Sequence, residues 1–355
     1  MSATSAHGIQ TSIGFALGAA VLFGASTPMA KLLLEAIPPV LLGGLLYLGS
    51  GLGLLATRLW RDRGWQPSGL RPGEGKWLAA AIAFGGVLGP VALMFGLQHT
   101  GASTASLLLN LEAVLTAVLA WVVFKENADR RVVLGMLAIV AGGVLLSWPS
   151  ANASQPGGGW GAGLIALACL CWAIDNNLTR NVSASDALFI AGSKGLVAGS
   201  VNITLAAMLG ATWPGWSSAL GAMAVGLLGY GISLALFVLA LRGLGTARAG
   251  AYFSVAPFVG ALVSLVWLGE QASTGFWAAG SLMALGIWLH LTERHAHEHT
   301  HEPLIHSHAH VHDEHHQHPH AFAWNGQEPH VHEHRHTVIT HSHPHYPDIH
   351  HRHRH

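Results

Sequence analysis

Gly101-Ala102-Ser103-Thr104-Ala105, running on to Phe124-Lys125-Glu126, returns 144 residues later as Gly245-Thr246-Ala247-Arg248-Ala249, running on to Leu268-Gly269-Glu270. The two stretches align without a gap. Ala105 meets Ala249, Ala117 meets Ala261, and both copies end on a glutamate, Glu126 and Glu270. The correspondence extends outward: Gly142 meets Gly286, and at an offset of 149 Gly14, Phe23 and Lys31 face Gly163, Trp172 and Arg180. The chain is therefore read as two similar halves.

Each stretch is also apolar for long enough to cross a bilayer as a helix, which takes about 17–25 residues. Runs of this kind are read at 13–34, 39–57, 77–97, 102–124, 132–148, 161–182, 187–208, 218–240, 247–268 and 274–291. With 51% of residues hydrophobic and 10% charged, the class is an integral membrane protein. Net charge is zero with histidine neutral, which gives no reason to expect a nucleic acid partner. Cys169 and Cys171 lie inside an apolar run and are read as packing residues. No cleavable signal peptide is expected, because no Lys or Arg precedes the first run.

Loop charges orient the spans. Arg58, Arg61, Arg63, Arg71 and Lys76 follow the second span, and Lys125, Arg130 and Arg131 follow the fourth. Arg180 follows the sixth, Arg242 and Arg248 surround the loop after the eighth, and Arg294 follows the tenth. The loops after the third, fifth, seventh and ninth spans carry no Lys or Arg. By the positive-inside rule both termini are cytoplasmic, in the inner (plasma) membrane. Five spans per half is an odd number, so the second half enters the bilayer from the opposite side. Such inverted repeats place a substrate site near the midplane, between the halves. The expected organisation is an all-α membrane protein of ten transmembrane helices in two inverted five-helix repeats. These are 1–148 and 160–291, joined by a periplasmic linker at 149–159, with a disordered tail at 292–355.

The run Ala102 to Glu126, with Leu107-Leu108-Leu109-Asn110-Leu111-Glu112-Ala113 inside it, resembles the EamA family of the drug/metabolite transporter superfamily. So does Tyr252-Phe253-Ser254-Val255-Ala256-Pro257 followed by Leu268-Gly269-Glu270. Trp172-Ala173-Ile174 is similar to the aromatic-Ala pair that opens that family's second repeat. The resemblance covers roughly 13–291 and implies ten helices in two inverted repeats and transport of small metabolites. Pro257 fits the family's mid-helix proline. Ala113 departs from it, which puts a proline kink in the first copy in doubt.

Ionisable residues within a span cost about 2.5–3.5 kcal/mol each and usually mark a pathway. Glu112 lies near the middle of the fourth span without a cation at its depth, which suits a proton carrier. Asp175, Asn176 and Asn177 lie in the sixth span and Lys194 in the seventh, at matching depth. Asp175 and Lys194 either form part of a substrate or proton site or act as an ion pair joining two helices. Ser26, Thr27 and Asn110 add hydroxyl and amide groups to the expected pathway. Glu126 and Glu270 are read as polar helix ends, and Lys31 and Arg180 as cations reaching the headgroups. His99 and His290, at span ends, are read as interfacial rather than as ligands. Pro28 and Pro90 each remove a helical hydrogen bond, which is tolerated where backbone lines a cavity.

Twenty-three of the 26 histidines follow Leu291. They alternate with other residues: His295, His297, His299 and His301, then His306, His308, His310 and His312, then His315, His316, His318 and His320. Neutral imidazole suits Zn, Ni, Co and Cu. The tail has too little apolar surface to fold alone, and without fixed zinc-finger spacing it is read as several sites of low specificity.

These readings converge on a secondary transporter, an exporter of a small metabolite or a divalent transition metal by alternating access, with a metal-binding cytoplasmic tail. The alternative is a non-transporting membrane metal sensor or buffer. No cofactor is required, although Zn, Ni or Co fits the tail. The expected partners are the substrate, the lipid bilayer and a second copy in a homodimer. No enzyme is expected, since neither a nucleophile–base constellation nor a phosphate-binding loop is present in the sequence.

Overall fold

A computed structural model describes residues 3–124, 130–148, 158–182 and 185–292, and the segments 296–301, 305–310, 330–335 and 339–344 of the tail. The chain divides into two units, Met1–Glu293 and Arg294–His355.

The first unit is helical. Its elements are α1 (Ala3–Leu33), α2 (Pro39–Arg61), α3 (Gly75–Ala81), α4 (Gly89–Gln98), α5 (Ala102–Leu108), α6 (Leu111–Phe124) and α7 (Arg130–Ser147). They continue as α8 (Gly158–Thr179), α9 (Ala187–Met208), α10 (Trp216–Gly226), α11 (Ser233–Phe253), α12 (Ala256–Trp267) and α13 (Thr274–Leu291). Helix is the form that lets an apolar segment satisfy its own backbone without water. Among the described residues, nine helical stretches are long and apolar enough to cross a membrane. The tenth expected span falls on α13, of 18 residues, which is not among these nine. Side chains mark the ends: Asp186 caps α9 by accepting from Phe189 N at 2.7 Å, and Ser273 caps α13 by accepting from Phe276 N at 3.1 Å. Exposed tryptophans gather at the helix ends, Trp60 in the last turn of α2, Trp65 after it, and Trp148 and Trp160 around the α7–α8 connection. Such rings belong at headgroup level.

The packing follows a twofold relation between the halves. Helices α2 and α9, second in their repeats, pack on each other, as do α7 and α13, the fifth. Helix α1 packs on α11 and α12, and its counterpart α8 packs on α4 and α6. Although α11 is helical over its whole length, Phe237 and Phe253 stack with ring centroids 4.8 Å apart. Sixteen residues of straight helix would hold them about 24 Å apart. The chain therefore turns back between them, as the loop after the eighth expected span requires.

Interruptions of the helices repeat as well. Ile82–Leu88 between α3 and α4 is π-helical, and so is Leu227–Ile232 between α10 and α11. The α5/α6 break falls at Leu109-Asn110 and the α11/α12 break at Ser254-Val255, within one residue of the same place in each copy, with Asn110 and Ser254 as repeat mates. Asn110 Nδ2 donates to Leu107 O at 2.9 Å and Ser254 Oγ to Ala251 O at 2.7 Å, each reaching three residues back. Proline is not what breaks the first copy: Ala113 stands where Pro257 opens α12, and the break is present in both.

In the second unit the described residues form strands, where the sequence predicted a tail without fixed structure. β1 (Ala296–His301) pairs antiparallel with β4 (Ile339–Pro344), and β2 (Ile305–His310) with β3 (His330–Arg335). The physical reason is the alternation of histidine with other residues, a period of two that suits a strand.

Candidate substrate site

The site begins with the π-helical turn before α4. Pro90 has no N–H to offer the carbonyls one turn back, and the π-turn loosens that ladder further. The freed carbonyls are taken from outside. Gly85 O accepts from Tyr47 OH at 2.8 Å and from Trp172 Nε1 at 2.9 Å, and Gly86 O accepts from Asn202 Nδ2 at 3.1 Å. Three helices, α2, α8 and α9, thus converge on one irregular turn. Among the described residues, Asn202 Oδ1 is buried there without a partner.

Asp175 lies against this turn. A Cβ at Gly85 would fall 1.9 Å from Asp175 Oδ2, so only glycine allows the approach. Lys194 Nζ donates to Asp175 Oδ1 and Oδ2 at 2.5 and 2.6 Å, and to Thr179 Oγ1 at 3.2 Å. Thr179 Oγ1 donates in turn to Asp175 Oδ1 at 2.9 Å. Next along α8, Asn176 Nδ2 donates to Glu112 Oε1 at 2.9 Å and to Thr116 Oγ1 at 3.4 Å. Asn177 Nδ2 bonds Ala173 O at 2.8 Å and Thr116 O at 3.4 Å. Asp175 is 6% exposed, while Asn176 is exposed beside it, so the cluster runs from a buried ion pair to an open edge. Two carboxylates and one ammonium leave the group one charge short of neutral, and among the described residues the Lys194 ammonium pairs with Asp175 while Glu112 is held by the Asn176 amide.

Aromatic rings form the adjoining wall. Tyr47 packs on Tyr230 at 5.7 Å between centroids, Tyr230 on Phe23 at 6.0 Å, and Phe23 on Phe253 at 5.4 Å. An apolar groove of about 370 Å³ along α7 and α8, lined by residues such as Leu111, Val144 and Ala166, contains none of the polar cluster and lies beside the exposed Val140 and Val144 of α7.

The structure thus brings together five of the sequence-predicted residues: Glu112, Asp175, Asn176, Asn177 and Lys194. Asn110 is instead buried at the helix break, with Met283 Sδ 3.8 Å from its amide. Ser26 and Thr27 are buried in α1, and Ser26 donates to Phe23 O at 2.6 Å. At the offset that aligns Phe23 with Trp172, Ser26 and Thr27 are the repeat mates of Asp175 and Asn176. Gly229 abuts Ser26 as Gly85 abuts Asp175. Ala256 is the mate of Glu112. The two clusters are repeat-related, and of these mates Asp175 and Glu112 are ionisable while Ser26 and Ala256 are not.

Sequence reasoning missed Thr116, Thr179, Tyr47 and Tyr230. Thr116 and Thr179 each stand four residues after a carboxylate in an apolar helix, a same-face spacing that could have found them. Lys31 does not reach the headgroups as expected: its ammonium donates to Leu97 O and Thr100 O, closing the end of α4. Glu270 caps the other half, accepting from Ala102 N at 2.7 Å and Ser103 N at 2.8 Å; its mate Glu126 lies outside the described residues. Cys169 Sγ lies 3.7 Å from Leu108 O, and His290 Nε2 lies 2.9 Å from Val132 O, joining α13 to α7. Among the residues with described side chains, no three His, Cys, Asp or Glu gather as a metal site. His297, His299, His301, His306, His308 and His310 lie on β1 and β2, while His295, His312, His315, His316, His318 and His320 lie outside the described residues.

EamA-like transporters match the chain twice, over residues 10–148 and 159–292. The chain belongs to the EamA-like transporter family. This EamA-like protein is 26% identical over 289 residues to an uncharacterized transporter of Methanothermobacter thermautotrophicus, across 76% of this chain and 83% of the relative. A solved crystal structure superposes on it with a TM-score of 0.57 at 19% identity, over 78% of this chain and 95% of that one, a likeness of fold. Membership makes the EamA-like protein a multi-pass membrane transporter.

Proposed function

We propose that the chain is a ten-helix secondary transporter of the inner membrane that exports a small polar metabolite by alternating access. Both termini face the cytoplasm, and Glu112 carries the coupling proton. One observation supports this most directly: the half-buried Glu112 is held by Asn176 beside the Asp175–Lys194 pair, at the seam between α6 and α8. A carboxylate with a neutral amide partner can take up and release a proton without breaking an ion pair. The aromatic wall from Tyr47 to Phe253 offers a surface for the apolar part of a substrate.

A divalent metal substrate is the second reading, favoured by the histidine tail. The polar cluster offers such an ion two carboxylates, one already bound to an ammonium. Proteoliposomes loaded with a pH-sensitive dye separate the readings, with an amino acid mixture and Zn²⁺ as probes. Proton-coupled amino acid flux that Glu112→Gln abolishes, in protein that inserts normally, supports the first. Zn²⁺ flux supports the second. Absence of both, in folded protein, favours a non-transporting metal sensor. Full amino acid flux in Glu112→Gln would remove Glu112 from the coupling step.

A further inference from the structure

The tail histidines are matched to one another across the strands. In the β2–β3 ladder His306 stands opposite His334, His308 opposite His332, and His310 opposite His330. In the β1–β4 ladder His297 stands opposite His343 and His299 opposite His341. Alternation along one strand explains a row of histidines, but it does not explain why the facing row falls in step. A shift of one residue in either ladder would set the histidines against Ser307, Ala309, Glu298 and their neighbours instead.

We propose that the tail takes divalent transition metal at these cross-strand histidine pairs, and that the ion closes the ladders. This rests on the reading of the tail as metal-binding and assigns that binding to particular pairs. Residues directly opposite in an antiparallel ladder have Cβ atoms about 4.5–5.5 Å apart, and the next residue on the same face is two positions along. His306, His308, His332 and His334 therefore share one face of a two-stranded ladder. Four imidazoles are the donor number that a tetrahedral ion such as Zn²⁺ uses, and neutral nitrogen ligands also suit Ni²⁺ and Co²⁺. A lone two-stranded ladder is marginal in water, and these strands have little apolar surface to hold them. Ligation supplies the missing free energy, so metal binding and strand pairing are one event. The inner pair, β2 with β3, closes the shorter loop. Its closure brings β1 and β4 near each other, so the outer ladder follows at a smaller entropic cost.

The test uses the full chain in detergent micelles, with Zn²⁺ titrated calorimetrically and bound zinc counted after desalting. His308→Ala/His332→Ala removes a matched pair. His350→Ala/His351→Ala removes as many tail histidines from outside the ladder segments. The matched-pair variant is expected to lose at least one tightly held Zn²⁺ per chain, or to bind it at least tenfold more weakly, with little change in the control. A second measurement reads the register without histidine: Ser307→Cys/Glu333→Cys, opposite each other, should form a disulfide on mild oxidation. Ser307→Cys/Ser342→Cys, in different ladders, should not. Failure of the wild-type chain to retain Zn²⁺ overturns metal binding by the tail and the pairs with it. Retained Zn²⁺ that both double variants lose equally, with no preference between the cysteine pairs, overturns the pairs alone.

Discussion

Asp186 holds Arg58 at 3.2 Å and thereby ties the start of α9 to the end of α2. Arg58 is 2% exposed, lies over the rings of Trp65 and Phe189 at 5.4 and 5.2 Å, and donates to Gln66 O at 2.8 Å and Pro67 O at 3.1 Å. Arg61 reaches the same Asp186 at 2.6 Å and also bonds Asp62, whose carboxyl it holds below the usual carboxylate range. The sequence counts Arg58 among the positive loop charges. In the structure it is a buried tie between the two repeats.

Asp186→Ala should therefore be among the costlier substitutions. It removes the α9 cap and the nearer of two carboxylates at the buried Arg58 guanidinium, leaving Asp62 at 3.6 Å, a loss of about 3 kcal/mol. Thermal unfolding in detergent would show a clearly lowered midpoint. Asp186→Glu, which keeps the charge, should recover part of it. Equal midpoints for wild type and Asp186→Ala would contradict the tie.

The Asp175–Lys194 pair can be tested by exchange. Lys194→Ala leaves Asp175 buried beside Gly85 with Thr179 as its remaining partner, at a cost of about 3–5 kcal/mol. Asp175→Lys/Lys194→Asp restores an ion pair but moves the carboxylate away from Thr179 and Glu112. Stability is expected to return in the exchanged protein and transport is not. Recovery of both would make the pair a helix-to-helix joint and nothing more.

Two glycines on facing helices should behave oppositely. Gly85→Ala drives a methyl group into Asp175 and should abolish transport with loss of stability. Gly163→Ala, on α8 with nothing within 4 Å, should be neutral or stabilising by up to about 1 kcal/mol. Flux and unfolding midpoints of the two variants decide this.

Glu270 places its carboxylate on the first amides of α5, where a helix end favours negative charge. Glu270→Ala should cost about 1–2 kcal/mol. Glu270→Gln, which keeps an acceptor but not the charge, should cost less. Hydrogen exchange at Ala102 and Ser103 would report the loss directly, and unchanged protection there would count against the cap.

The helical membrane fold and its two repeats were legible because their determinants are long-range patterns: apolar length and a gapless repeat. Glu112, Asp175, Asn176 and Lys194 were legible because charge in an apolar span stands out. Tyr47, Trp172 and Asn202 as partners of one π-helical turn were not, because that turn exists only once Pro90 and its neighbours have folded. Arg58 was misread because loop arithmetic counts a charge without knowing what encloses it. The role of Glu270 was half legible: its recurrence showed a helix end, while its amide partners lie in the other half of the chain.

The pairing of charged Asp175 and Glu112 with uncharged mates Ser26 and Ala256 has a thermodynamic consequence. A molecule of two identical inverted halves would face either side of the membrane with equal probability, because its two conformations would be equivalent by symmetry. Charge at only one of the two repeat-related clusters lifts that degeneracy. About 1.4 kcal/mol of difference is enough to set a tenfold preference. Under the alternating access proposed above, the resting orientation is set by which of the two clusters holds the carboxylates, Glu112 from the first copy and Asp175 from the second.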